Sequence, residues 1–247
     1  EIRAFVNFFN MVAKDVEFNN IFIGNIEGPI LEVPSKFKMV AKQRGKQIRF
    51  TLNSQKDEHF ITIGLGLTGY FKVQTAPVDC LFSFISSQFC LSIMSDTPDS
   101  FYYQQTDFDK NRSPDPLEQQ EDFKQNLKKL MKCENPICTQ LLNQQYFNGI
   151  GNYLRCEILY RLDVDPFTPT KDVDLENLAD EIFSILEEAY EVVSNPQEFK
   201  EFLKCYGKAS NTILVAGRTL WSWKPIKGER VYQRQFDTKI ERVQDFM

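Results

Sequence analysis

Leu141-Leu142-Asn143-Gln144-Gln145-Tyr146-Phe147-Asn148-Gly149-Ile150-Gly151-Asn152-Tyr153-Leu154-Arg155-Cys156-Glu157-Ile158-Leu159 is the stretch on which the reading of this chain turns. The spacing predicts a helix ending near Gln145, Gly149 and Gly151 allow tight turns with positive φ, and Asn152 is suited to cap the helix that follows. Helix, two turns, helix is the expected geometry. Backbone N–H groups left over at the second N-terminus, together with the Asn152 amide, would make a phosphate site. The same residues also suit a capped helical hairpin whose glycines serve only the turn, and the segment alone leaves both readings open.

Around this stretch the periodicity is helical. Glu118 to Met131, Pro136 to Gln145, Asn152 to Arg161, Leu175 to Ser194 and Pro196 to Cys205 each predict a helix, with Pro136 and Pro196 at first-turn positions. After Tyr206-Gly207 the period falls to two in Thr212 to Val215 and Arg218 to Trp223, with Ala216-Gly217 as the turn, so a hairpin is expected at about 211–224. The tail from Gly228 is polar and ambiguous.

Toward the N-terminus the pattern changes. Ile2, Phe5, Val6, Phe9 and Val12 form one helical stripe. Short apolar and β-branched runs follow at Ile21 to Ile26, Gln47 to Leu52, Phe60 to Leu65, Tyr70 to Gln74, Leu81 to Ile85 and Gln88 to Met94, the strands of a sandwich or barrel. Thr97-Pro98-Asp99 and Asn111-Arg112-Ser113-Pro114-Asp115-Pro116 carry turn chemistry. The expected class is α+β: an N-terminal helix and β-sandwich over 1–112, then a mainly helical domain over 113–247 ending in a hairpin.

Composition narrows the classes. The 247 residues correspond to one large or two ordinary domains, and 42% hydrophobic residues supply cores for both. No apolar run approaches the roughly 20 residues of a membrane helix, so a soluble protein without a membrane partner is expected. Six cysteines at irregular spacing, with no C-x-x-C and His59 as the only histidine, predict reduced thiols and no structural metal. A net charge of −5 argues mildly against nucleic acid, unless the basic side chains share a face. The chain opens at Glu1 without a methionine, which suggests residues preceding it.

Further motifs stand in order along about 220 residues: Arg44-Gly45-Lys46, Gly66-Leu67-Thr68-Gly69, Ser113-Pro114-Asp115-Pro116-Leu117, the helix-turn-helix stretch, and Cys205-Tyr206-Gly207 with Gly217-Arg218-Thr219-Leu220-Trp221. Together they resemble the formamidopyrimidine-DNA glycosylase and endonuclease VIII family, most closely its endonuclease VIII-like 1 branch. The resemblance implies a helix-two-turn-helix motif, an R-G-K hairpin whose lysine reaches the active site, a G-M-[ST]-G loop, a G-P-[DE]-P-L linker and a finger hairpin that keeps its shape without zinc. Glu1-Ile2 matches the end of the N-terminal P-E-G-P-E-[LVI], whose proline is the family's nucleophile.

The implied activity is removal of oxidised bases from DNA, with apurinic-site lyase action, in base excision repair. A lesion-binding module without catalysis is the alternative, and a structural protein of the same fold the third. The expected partner is damaged duplex or single-stranded DNA, bound by a nuclear, monomeric protein without cofactor. An enzyme acting on a stacked base must extrude it and fill the gap. Leu67 is placed as the apolar wedge. The region Tyr103-Gln104-Gln105-Thr106-Asp107-Phe108-Asp109-Lys110-Asn111 lacks the paired arginines and glycine of the family's D-x-R-R-F-G, leaving Phe108 as either an intercalating aromatic or a loop anchor.

An α-amino group has a reference pKa of about 7.7 to 8.0 and a lysine about 10.4, so Lys46 is the catalytic candidate as a protonated donor to sugar or base, or as a nucleophile if desolvation lowers its pKa enough, against a merely solvated lysine. Gly151, Asn152 and Arg218 are the DNA-binding candidates, with Arg218 gripping phosphate through its fork or simply closing the hairpin. Lys42, Arg44, Arg49, Lys204, Lys208, Lys224 and Lys227 would add positive charge, and Glu176, Asp180, Glu181, Glu187, Glu188 and Glu191 would lie on the back. Glu157 is expected to pair with a cation, Trp221 and Trp223 to pack one face of the hairpin, and His59 to end a loop or cap a strand.

Overall fold

The computed structural model describes residues 2–55, 57–65, 69–95 and 101–226. The chain divides into two compact units, with the change from one to the other between Asp109 and Lys110.

In the first unit, helix α1 (Ile2–Ala13) buries Val6, Phe9 and Ala13. Strands β1 (Phe18–Ile23), β5 (Gly69–Gln74), β6 (Phe82–Ser86) and β7 (Cys90–Ser95) form one antiparallel sheet in the order β1-β6-β7-β5. Strands β2 (Lys38–Arg44), β3 (Gln47–Asn53), β4 (Glu58–Gly64) and β8 (Tyr102–Gln104) form the other, in that order. Ile48, Phe50 and Leu52 of β3 point inward and are fully buried. Phe50 meets Phe84 of the opposite sheet with ring centroids 4.6 Å apart, and Phe9 of α1 touches both rings. Each such buried phenyl contributes roughly 1.5–3 kcal/mol relative to leaving it in water. The two sheets and α1 therefore close on one aromatic core.

Three expectations shift here. The Ile21 to Ile26 strand lies earlier, at Phe18–Ile23. Strand β2, Lys-Met-Val-Ala-Lys-Gln-Arg, goes beyond the expected set because its apolar run, Met39 to Ala41, is only three residues long and flanked by charged and polar ones. The short β8, Tyr102-Tyr103-Gln104, escapes notice because three residues are too few to show an alternation.

The second unit is mainly helical: α2 (Gln120–Leu127), α3 (Ile137–Gln140), α4 (Asn152–Arg161), α5 (Leu175–Val192) and α6 (Pro196–Phe202). Strands β9 (Asn211–Val215) and β10 (Arg218–Ser222) follow as an antiparallel hairpin. Asp174 caps α5 by accepting from the N–H groups of Glu176 and Asn177. Asn195 caps α6 in the same way, with Pro196 in its first turn. The helices expected over Glu118 to Met131, Leu175 to Ser194 and Pro196 to Cys205 are trimmed, the first continuing as a 3-10 turn at Lys128–Leu130. The helix expected to reach Gln145 ends at Gln140, and turns replace the rest. No helix among the described residues is long and apolar enough to cross a membrane.

Candidate nucleic-acid interface

The turns between α3 and α4 are held by two buried amides. Gln144 accepts from Gly149 N (2.9 Å) through Oε1 and donates through Nε2 to the carbonyls of Ile150 (3.0 Å) and Leu142 (3.2 Å). These bonds hold the turns that follow the end of α3 at Gln140. Asn148 is fully buried; its backbone N–H donates to Ser113 Oγ at 3.1 Å and its Nδ2 to Ser113 O at 3.0 Å. Arg112 donates to both Gln144 Oε1 and Asn148 Oδ1 at 3.2 Å. The Ser113-Pro114-Asp115-Pro116-Leu117 segment thus braces the turn. Gly149 has φ 89°, where a side chain would be strained.

Gly151, extended at φ −117° and ψ −174°, is the N-cap of α4. Asn152 is therefore the first helical residue and not the cap, which corrects the expectation for it. Its amide Nδ2 donates to Thr219 O of β10 (2.9 Å) and its Oδ1 accepts from Arg155. Tertiary contact has claimed the side chain that local chemistry would have turned back on its own helix.

Arg155 has no exposed surface. It donates to Asn152 Oδ1, to the Cys138 carbonyl at 3.4 Å and to the Cys156 sulfur. Burial pushes its pKa below the ordinary arginine range, and the positive charge of Arg218 acts in the same direction. An arginine keeps its proton at neutral pH regardless. Arg218, half-buried, starts β10 opposite Val215. The structure thus brings Gly151, Asn152 and Arg218 together at the start of α4 and adds Arg155, which sequence reasoning missed. This end of a ten-residue helix carries partial positive charge of its own. The arrangement is chemically suited to an anion.

The far side of α4 fastens the hairpin. Cys156 Sγ accepts from Trp221 N (3.4 Å) and Cys205 Sγ donates to Trp221 O (3.3 Å). Trp221 lies edge-on to Tyr206, whereas Trp223 is outside β10, 48% exposed, and donates from its indole to Lys204 O. The two tryptophans do not share one packed face, and fully buried Leu220 supplies the packing instead. Among the described residues Glu157 forms no salt bridge: fully buried, it accepts from the backbone N–H groups of Lys204, Cys205 and Tyr206 at 2.9, 2.9 and 2.7 Å. Among the described residues no group of three His, Cys, Asp or Glu is arranged around a metal position.

In the first unit, Lys46 occupies the turn between β2 and β3 beside Gly45 (φ 57°). Its neighbour Gln47 is buried, donates to Tyr102 OH (2.8 Å) and accepts from Asp109 N (3.2 Å). Tyr102 reaches Gln47 by crossing Gly64, where a Cβ would lie 2.1 Å from its ring. The start of β3 behind Lys46 is therefore tied down. Leu67 lies outside the described residues.

Phe108 is half-buried, with the Arg49 guanidinium 4.9 Å from its ring centroid and Phe60 on the same guanidinium at 5.0 Å. Arg49 also pairs with Asp107. Phe108 thus anchors its loop here. Other basic candidates are engaged as well: Lys224 with Asp163 and Lys208 with the carbonyls of Lys200 and Leu203. Of the acidic residues, Asp180 pairs with Lys124, and Glu181 and Glu188 with Arg161. Lys227 lies outside the described residues. His59 sits in β4 opposite Leu52.

Residues 113–200 match the formamidopyrimidine-DNA glycosylase H2TH domain. The chain is 29% identical over 194 residues to mouse endonuclease 8-like 1, covering 70% of this chain and 49% of that protein. It is 31% identical over 148 residues to the human endonuclease 8-like 1, covering 44% of this chain and 38% of that protein. The chain thus spans about half the length, or less, of these relatives. In fold it is similar to the Lactococcus lactis Fpg in complex with abasic-site DNA (TM-score 0.72, 19% identity, 90% of this chain and 96% of that one). It is also similar to the Fpg protein of Thermus thermophilus (TM-score 0.70, 18% identity, 90% and 95%).

Proposed function

We propose that this chain, whose residues 113–200 match the formamidopyrimidine-DNA glycosylase H2TH domain and which is similar to endonuclease 8-like 1, belongs to the formamidopyrimidine-DNA glycosylase and endonuclease VIII family and is a DNA glycosylase of base excision repair with apurinic-site lyase activity. Its substrates in this reading are oxidised bases, pyrimidines before purines, in duplex or single-stranded DNA, and it works as a monomer in the nucleus. The observation that carries the proposal is the cationic cluster at the start of α4, where Asn152, Arg218 and buried Arg155 converge. Oriented N–H groups and guanidinium forks are what phosphate binding requires.

Residues 1–112 carry the chemistry and 113–247 the grip. The attacking amine is that of an N-terminal proline preceding Glu1, as the resemblance implies. It attacks C1′, the glycosidic bond breaks, and the base leaves with a proton donated by Lys46. The C1′–O4′ bond then opens, with O4′ taking up the proton released by the amine, and the resulting iminium loses a C2′ proton and then the 3′ phosphate by elimination, which cuts the strand. Leu67 fills the space of the extruded base, and Gly151 lets the backbone approach the phosphate.

Borohydride trapping of the chain preceded by Pro-Glu-Gly-Pro tests this. A covalent adduct with abasic-site DNA is expected. Lys46→Ala should leave affinity for an abasic analogue within a few-fold and slow base excision roughly 100-fold, the scale of a lost general acid. Tight lesion binding with no adduct and no excision would favour a lesion-binding module without catalysis.

A further inference from the structure

Among the described residues, Arg155 is a fully buried guanidinium with no carboxylate on it. Its bonds run to an amide oxygen, a carbonyl and a sulfur, and its Nε has no partner. The nearby buried carboxylate, Glu157, is occupied by the backbone of Lys204, Cys205 and Tyr206. Among the described residues, the permanent charge of Arg218 acts on Arg155, and it has the same sign. Six consecutive residues, Leu154 to Leu159, are buried, so an apolar side chain at 155 would suit the packing. A buried cation left uncompensated costs stability, and its replacement by a hydrophobe of similar volume is often neutral or stabilising. Something other than the folding of the free chain has to favour arginine here.

We propose that Arg155 is a positioning residue of the DNA grip: it pins the Asn152 amide so that its hydrogens face Thr219 and the bound strand, whose phosphate is the counter-ion that the buried guanidinium lacks. This rests on the DNA-binding reading above. The Asn152 carbonyl and amide ends differ only in what they bond to, so an amide flip would aim an acceptor at the phosphate. A donor fixed on Oδ1 forbids that flip. The charge of Arg155, in a site of low dielectric, also adds to that of Arg218 and the helix terminus.

The test measures the melting temperature of the free chain and its affinity for a short duplex carrying an abasic-site analogue, for Arg155→Met, Arg155→Lys, Asn152→Ala and Arg155→Met/Asn152→Ala. Arg155→Met should melt at or above the unsubstituted chain yet bind at least about tenfold more weakly, as expected for losing a charge-assisted hydrogen bond. Arg155→Lys keeps the charge but not the fork, so its affinity should fall between the two. Because Arg155 acts through Asn152, the double variant should lose less than the product of the two single losses.

Unchanged affinity in whichever Arg155 variant folds would overturn the proposal. So would a parallel loss of melting temperature and affinity in both, which would return Arg155 to a packing role. Failure of the unsubstituted chain to bind the duplex at low salt would instead remove the DNA-binding reading itself.

Discussion

Among the described residues buried Glu157 forms no salt bridge, and three backbone N–H groups stabilise it instead. Successive amides of one turn make a concave anion site, and here the anion is the protein's own. The consequence is positional: α4 is tied to the segment leading into β9, 47 to 49 residues on. Glu157→Ala would strand three buried donors at once. It should lower the unfolding free energy by about 3 kcal/mol or more in urea denaturation, whereas Glu157→Gln, keeping one acceptor oxygen, should lose less. Equal losses would mean that the carboxylate fills space without accepting these bonds.

At the scale of elements, the β9–β10 hairpin is held by pairing and by sulfur. Ala216 (φ 50°) and Gly217 (φ 70°) both lie in the left-handed region, the turn that matches the twist of the two strands. The β10 edge turned away from β9 is satisfied by Asn152 at Thr219 O and by Cys156 and Cys205 at Trp221. A Cβ at Gly217 would meet nothing within 4 Å, so Gly217→Ala should cost only the backbone penalty, about 1–2 kcal/mol. With its edge filled by protein groups, the hairpin should keep its melting temperature in excess chelator, and elemental analysis should find no stoichiometric zinc. Loss of the hairpin on chelation would place a metal where the bonds to Cys156 and Cys205 are drawn.

Across the whole molecule, two separate cores carry the stability, one built on Phe9, Phe50 and Phe84 and the other on Phe123, Phe147 and Ile158. The second holds thiols that water does not reach. Burial pushes Cys138 and Cys205 from 9.0 up to about 12. Below pH 9 the thiol is protonated in folded and unfolded chains alike, and its proton leaves stability unchanged. Between 9 and about 12 only the unfolded thiol ionises, so the stability they contribute falls as pH rises through that window. Urea midpoints measured from about pH 8 to about 11 should fall, and less steeply for Cys138→Ala/Cys205→Ala. Near neutral pH, thiol reagents should reach half-buried Cys133 well before these two.

Local pattern is enough for the elements whose cause is local. The stripe from Ile2 to Val12 and the turn at Ala216-Gly217 are legible because periodicity and turn chemistry act within a few residues. The span Asn152–Arg161 is legible as well, since a glycine precedes it and its helix formers are contiguous. The side chains of that same helix are not. Their polarity suggests that Arg155 and Glu157 face outward, but α5 and β10 enclose α4 and bury both. Asn152, expected to cap, instead reaches Thr219, 67 residues away. Gln144, expected in a helix, instead satisfies Gly149 and Ile150. Where the chain coils and turns follows from neighbours in the sequence; which polar groups are buried, and what they bond to, follows from packing alone, because a buried donor must take whatever acceptor the fold brings to it.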